Sequence, residues 1–229
     1  VQRDHIEQLA HSWQANAEAW TTAVRQRRIE SRRLVTDAAI LHAALALAPK
    51  RVLDLGCGEG WLCRELVAHD IEAVGVDACE ALIAAAEAAG KAQYRVCGYA
   101  ELKQQAKQLG QFELLLCNFA LLEQALEAVL RSLHYLLAPG GSLLIQTLHP
   151  WSARDSGDYQ DGWRIETFAG FGEGFDAPLP WYFRTLESWL ALLHETGWHL
   201  QWLREPLHPQ TKQPVSLLLR VNSAQKLTA

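Results

Sequence analysis

Two acids and three glycines carry the chemistry that the sequence offers most directly. Asp54 stands near the end of an apolar run, Val52-Leu53-Asp54-Leu55, and Gly56, Gly58 and Gly60 follow at alternate positions. The run reads as a buried parallel strand, and Leu62, Glu65, Leu66 and His69 then resume at helical spacing. Glycines at a strand-to-helix turn let the backbone approach a ligand closely, and the helix start offers free N–H groups at a positive dipole end. A carboxylate at Asp54 is costly to bury without a purpose or a partner. Asp77 ends the next apolar run, Val74-Gly75-Val76-Asp77, about 20 residues past the glycines, where an acid can accept both hydroxyls of a ribose. Dinucleotides use the same geometry, but the G-x-G-x-x-G spacing of their fingerprint is absent. A general base, if one is needed, is sought at His149 in His149-Pro150-Trp151, at the carboxyl edge of the sheet. The other reading of His149 is a hydrogen-bonded turn residue.

The elements that position these residues alternate. Strands are expected at 51–55, 72–77, 93–97, 112–117 and 142–147, with helices at about 61–69, 80–89, 101–109 and 123–137. Such alternation implies right-handed crossovers and a parallel sheet. Gly90 reads as a helix C-cap, and Thr185 as the N-cap of a helix with Leu186, Trp189, Leu190 and Leu193 on one face, ended by Gly197. Strands at 198–204 and 215–221 are joined by a short link with three prolines, too short for a crossover helix, so the pair is expected to be antiparallel. Residues 1–48 read as helices, with Trp13, Ala17, Trp20 and Val24 at helical spacing and a second helix N-capped near Ser31 or Thr36 and stopped by Pro49. Trp13 and Trp20 either dock this helix on the sheet or form a lid over the ligand cleft. The arginines between the two helices suit a solvated face, and one could instead meet a carboxylate of a bound ligand.

Composition narrows the classes. The chain has 229 residues, 49% of them apolar, which suits one large domain with a sizeable core. Its net charge is −5 with no basic run, against a dedicated nucleic-acid binder. Five cysteines show no metal-ligand spacing, so no metal is expected, and an odd number suits the reducing cytoplasm. The start, Val1-Gln2-Arg3-Asp4-His5, lacks a secretory h-region, and no apolar stretch reaches membrane-spanning length. Methionine is absent even at position 1, so the chain is not expected to begin at a gene start.

Taken together in order over residues 52–147, these motifs resemble those of class I S-adenosylmethionine-dependent methyltransferases. The glycine loop resembles the family's nucleotide-binding loop. Gly98-Tyr99-Ala100-Glu101 resembles its adenine-side loop, often Gly-Asp-Ala-Glu, with Tyr99 in place of the usual acid. Phe112-Glu113-Leu114-Leu115-Leu116-Cys117-Asn118-Phe119 resembles the fourth motif, whose tip faces the cofactor's amino-acid end. Pro139-Gly140-Gly141 looks like the turn leading into the fifth strand. The resemblance implies a doubly wound α/β fold with a seven-stranded, mostly parallel sheet and an antiparallel C-terminal hairpin, to which the helical pattern of residues 1–48 adds an N-terminal helical cap. The sequence itself divides one domain, 1–229, into a cap at 1–48, a cofactor-binding core at 51–148, an excursion at 151–183, and a helix and hairpin at 185–221; the resemblance does not cover the cap or the excursion. It implies S-adenosylmethionine as cofactor, S-adenosylhomocysteine as product, and contacts from Asp54, Gly56, Cys57, Gly58, Trp61, Asp77, Ala78, Ala100, Glu101, Cys117, Asn118 and Phe119. The tip Cys117-Asn118-Phe119-Ala120 lacks the D/N-P-P-Y pattern of members that methylate bases, which favours a small-molecule acceptor over nucleic acid.

Residues 151–183 carry nine aromatics and five glycines without a clear period. So long an irregular segment is usually functional, and aromatics want burial. The segment is expected to contain short strands or hairpins and to wall the acceptor site, with Trp151 and Tyr182 as contacts beside Trp20 of the cap. A small satellite core is the alternative. Three rivals remain at this point: an NAD(P)-dependent oxidoreductase, a non-catalytic binding module on the same fold, and an enzyme that uses the same cofactor for other chemistry.

Overall fold

The computed structural model describes residues 2–154 and 158–224. Gly157, counted above among the glycines of the excursion, lies outside the described residues, as does Val1. Two cap helices, α1 (Gln2–Ala15) and α2 (Ala17–Arg25), precede a π-helical turn, Arg32–Thr36, that runs into α3 (Asp37–Leu45). The core then alternates through β1 (Arg51–Leu55), α4 (Trp61–Ala68), β2 (Glu72–Asp77), α5 (Glu80–Ala89), β3 (Gln93–Val96), α6 (Leu102–Leu109), β4 (Phe112–Asn118), α7 (Glu127–Leu133) and β5 (Leu137–Leu148). A hairpin of β6 (Gly162–Glu166) and β7 (Leu179–Phe183) follows, then α8 (Leu186–Glu195), β8 (Trp198–Arg204) and β9 (Ser216–Ser223).

The main sheet has seven strands in the order β3-β2-β1-β4-β5-β9-β8, with β9 antiparallel to both its neighbours and the remaining pairs parallel. The fold is the one expected from the sequence. Chain order reverses between β1 and β4, which makes the carboxyl ends of these strands the switch point where such sheets bind ligands. Side chains alternate across the sheet. Leu53, Leu55, Leu115, Cys117 and Ile145 join the core under α6, α7 and α8, whereas Val52, Leu114, Leu116 and Leu144 join the core under α3, α4 and α5. Thr185 caps α8 by accepting a bond from the Ser188 amide, as its position ahead of the apolar stripe suggested.

Two local expectations change. Helix α7 is shorter than the stretch 123–137, ending at Leu133, and β5 begins at Leu137. Pro139-Gly140-Gly141 therefore lies inside β5 as a bulge, where the register with β4 shifts between Phe112 and Leu114. Neither Ser31 nor Thr36 caps a helix with its side chain, because the chain passes through a π-helical turn there. Among the described residues, no helix is long and apolar enough to cross a membrane, and no group of three or more His, Cys, Asp or Glu could hold a metal ion.

Candidate active site

A cleft of about 250 Å³ opens over the switch point, between the glycine loop and the cap. Its floor is the tip of β1 and the loop Gly56–Gly60. Gly56 and Gly58 have φ of 66° and 55°, a region that L side chains rarely adopt. A Cβ at Gly56 would lie 2.5 Å from the Cβ of Ala120, so the loop also packs too tightly against the segment after β4 for any side chain. The Gly58 amide donates to Asp77 Oδ2, and the Cys79 amide to Asp77 Oδ1, both at 2.9 Å. Asp77 thus pins the loop to the tip of β2 while lining the cleft.

Glu59, within the same loop, is buried and holds two arginines. Arg64 Nη2 reaches both its carboxylate oxygens, at 2.8 and 2.7 Å, and Arg25 Nε reaches Oε2 at 2.8 Å. Arg25 also donates to the Ala85 carbonyl, so the end of α2 is tied at once to the glycine loop and to α5. At the other end of α2, Asn16 is fully buried. Its amide nitrogen donates to the Ala177 carbonyl at 2.6 Å, and its oxygen accepts from the Asp176 amide at 2.9 Å. The cap is therefore joined both to the nucleotide loop and to the excursion.

Two groups of opposite charge in the cleft wall each keep one buried atom without a hydrogen-bond partner. Asp54 Oδ1 has no hydrogen-bond partner, and burial pushes the Asp54 carboxyl up to about 7. Arg32 Nη2 has none either, although Arg32 Nε is paired with Asp37 Oδ1 at 2.9 Å. The Arg32 guanidinium lies over the rings of Trp61, at 4.8 Å, and Trp20, at 5.8 Å. The sequence suggested that one arginine near the cap could meet a carboxylate without saying which. Only the turn of the π-helical stretch selects Arg32.

The cleft brings together Asp54, Gly56, Cys57, Gly58, Trp61, Asp77, Ala78, Asn118, Phe119 and Trp20. Asn118 accepts from Gln146 Nε2 at 2.8 Å, and Phe119 takes a positive φ of 54° to end β4. Six expected contacts lie elsewhere. Ala100 and Glu101 are exposed, and Glu101 turns back to accept from the Gly98 amide. Tyr99 faces the cleft instead, its hydroxyl donating to the Ala120 carbonyl at 2.7 Å. Cys117 points into the core under α6 to α8, because strand alternation sends it to the opposite face from Asp54. Trp151 is 53% exposed, with the Arg154 guanidinium over its ring.

Tyr182 is displaced by one residue. In the β6–β7 hairpin, Glu166 pairs with Leu179 and Arg164 with Trp181, and directly paired residues share a face. Glu166, Leu179 and Trp181 line the cleft, so Tyr182 points away, its ring edge-on to Trp163, which stacks on His5 of α1. His149 lines a neighbouring cavity, beside Ser152 and Val215, that shares Leu148, Glu166 and Trp181 with the cleft. Its Nδ1 accepts from the Trp151 amide at 3.2 Å, which leaves the proton on Nε2, 2.9 Å from Glu205 Oε1. Both ring nitrogens are thus hydrogen-bonded, which fits the reading of His149 as a turn residue.

A model of the methyltransferase domain family matches residues 25–201, more than half of the chain. The chain belongs to that family. This methyltransferase domain is 30% identical over 112 residues to a ubiquinone biosynthesis O-methyltransferase of Marinobacter nauticus, a match covering 46% of the chain and 47% of the relative. The same enzyme of Xanthomonas oryzae pv. oryzae is 33% identical over 116 residues, covering 48% of the chain and 47% of the relative. The chain thus spans about half the length of these curated relatives. Among solved structures, an S-adenosylmethionine-dependent methyltransferase from Mesorhizobium loti is similar at a TM-score of 0.60 and 23% identity, covering 79% of the chain and 95% of that structure. The Burkholderia thailandensis 1,6-didemethyltoxoflavin-N1-methyltransferase, solved with its acceptor and S-adenosylhomocysteine, superposes at 0.67 and 18% identity, covering 98% of the chain and 91% of that structure. These two likenesses are of fold.

Proposed function

We propose that this methyltransferase domain transfers a methyl group from S-adenosylmethionine to a small-molecule acceptor by in-line displacement. One observation carries the reading. The unpartnered oxygen of Asp54 and the unpartnered nitrogen of Arg32 border one cleft, together with Asp77. An α-amino acid carries an ammonium and a carboxylate on one carbon and satisfies both groups; a dinucleotide has no such end. Val76, Ala78, Leu82, Cys97 and Gly98 line the part of the cleft beyond Asp77 and suit a flat purine. The ribose hydroxyls would donate to Asp77, whose carboxylate oxygens keep free lone pairs beside the two amide bonds they accept. An ammonium against Asp54 would hold its carboxylate ionised and offset the desolvation. Bound there, S-adenosylmethionine supplies a methyl group on a sulfonium.

The protein's own part is to align the reactants and exclude water. The Trp20, Trp61 and Phe171 rings supply an apolar, electron-rich wall that suits a cation. The five cysteines are all free and buried, which supports a place in the reducing cytoplasm. The acidic balance supports a small molecule over nucleic acid. Asp77→Ala tests the assignment. Removal of its hydrogen bonds lowers affinity for S-adenosylhomocysteine by at least about tenfold, at about 1.4 kcal/mol per decade. Unchanged affinity in a calorimetric titration takes Asp77 out of the cofactor site.

A further inference from the structure

The side of the cleft that the excursion walls has a composition of its own. Its walls are the aromatic rings of Phe168, Phe171 and Trp181, and its polar groups are two carboxylates, Glu123 and Glu166. Glu123 follows the tip of β4 in a loop that the excursion straps down. The Tyr182 amide donates to the Leu122 carbonyl at 2.8 Å, and Arg184 Nη2 donates to the Glu123 and Gln124 carbonyls at 2.7 and 2.6 Å. The backbone of Glu123 is fixed in this way, while its carboxylate makes no hydrogen bond or ion pair among the described residues. Burial pushes its pKa upward. Glu166 Oε1 accepts from the Phe168 amide at 2.6 Å, which sets the acid at the foot of the aromatic cluster.

Among the described residues, four carboxylates line the cleft, Asp54, Asp77, Glu123 and Glu166, against one guanidinium, Arg32, whose Nε is already paired with Asp37. Two of the four and the guanidinium are accounted for by the cofactor assignment. The remaining two, Glu123 and Glu166, have no part in that assignment. Resting on that assignment, we propose that the acceptor is an amine on an aromatic or apolar body, held as its ammonium by Glu123 and Glu166 and methylated on nitrogen. An anionic acceptor would be repelled by both acids, and a neutral one would forgo the charge-assisted bonds that two carboxylates offer an ammonium.

The proton balance follows. An ammonium has no lone pair and must lose a proton first. In a dry slot beside a sulfonium, burial favours the neutral acid and the neutral amine over the ion pair, so the proton passes from nitrogen to Glu123. The freed nitrogen lone pair then attacks the methyl carbon. The N–C bond forms as the C–S bond breaks, its electron pair stays on sulfur, and the product leaves as an N-methyl ammonium while Glu123 returns its proton to water.

Charge-matched ligands test the proposal: 2-phenylethylamine, 2-phenylethanol and 3-phenylpropionate are titrated into the protein saturated with S-adenosylhomocysteine, and each is then assayed as an acceptor from methyl-labelled S-adenosylmethionine. The amine is expected to bind about tenfold or more tighter than the other two, the return for charge-assisted bonds, and to take the label on nitrogen. Glu123→Gln, of equal size, should lower kcat for the amine by about a hundredfold, the scale of a lost proton acceptor, and Glu166→Gln should mainly raise KM. Affinity for S-adenosylhomocysteine should stay within about twofold in both variants, since neither meets the cofactor. Equal or better binding of the alcohol or the carboxylate, or full amine turnover in Glu123→Gln, overturns the amine assignment. A wild-type protein that fails to bind S-adenosylhomocysteine at all overturns the cofactor reading beneath it.

Discussion

Gly58→Val is expected to abolish cofactor binding while far-ultraviolet circular dichroism stays at the wild-type level. Gly58 has φ of 55°, where a β-branched side chain is strained. Its Cβ would stand 3.5 Å from Trp20 Nε1, so the two valine methyls would enter the cleft between the loop and the cap. The Gly58 amide also holds Asp77 Oδ2, and any shift of the loop moves that acid. The combined loss of space and alignment should weaken S-adenosylhomocysteine by at least about a hundredfold, about 2.7 kcal/mol. A variant that binds within about threefold of wild type would mean that the cofactor does not lie on this loop.

Glu59→Ala is expected to cost about 3 kcal/mol of stability, the low end for breaking a buried ion pair. Glu59 has no exposed side-chain surface, and its loss strands Arg64, which is 18% exposed. Arg25 is 42% exposed and can turn toward water, which reduces the cost. Urea denaturation should show a lower midpoint with an unchanged slope, and the end of α2 should lose hydrogen-exchange protection because Arg25 no longer holds it to the loop. A fall of less than about 1 kcal/mol would show that this ion-pair network contributes as little as surface pairs do.

The core of the fold was legible because its signals are local. Apolar runs with turn residues between them gave the strands, and the short proline-bearing link before Val215 gave the antiparallel pair. The glycine loop, Asp54 and Asp77 were legible for the same reason, since strand tips of a doubly wound sheet converge by topology. What the sequence hid depends on register and long-range pairing. Tyr182 and Trp181 are equally aromatic, and only the pairing of Arg164 with Trp181 tells which one faces the cleft. Cys117 stands at a strand tip yet points to the far face. Glu123 reads as the first residue of a helix, but α7 begins at Glu127, and the strap from Tyr182 and Arg184 sets the acid on the cleft instead. His149 sits at the expected edge, and its partner Glu205 comes from the link after β8, which no spacing around His149 announces.

The measurement that bears most directly on the cofactor assignment is a calorimetric titration of the wild-type protein with S-adenosylhomocysteine, S-adenosylmethionine and NAD in parallel. The cleft joins an acid for a ribose, Asp77, to an unpartnered oxygen of Asp54 and an unpartnered nitrogen of Arg32 for an amino-acid end. Both sulfur nucleosides should therefore bind at one site per chain, and NAD should show no heat of binding at the same concentrations. Binding of NAD in preference to either sulfur nucleoside would contradict the account.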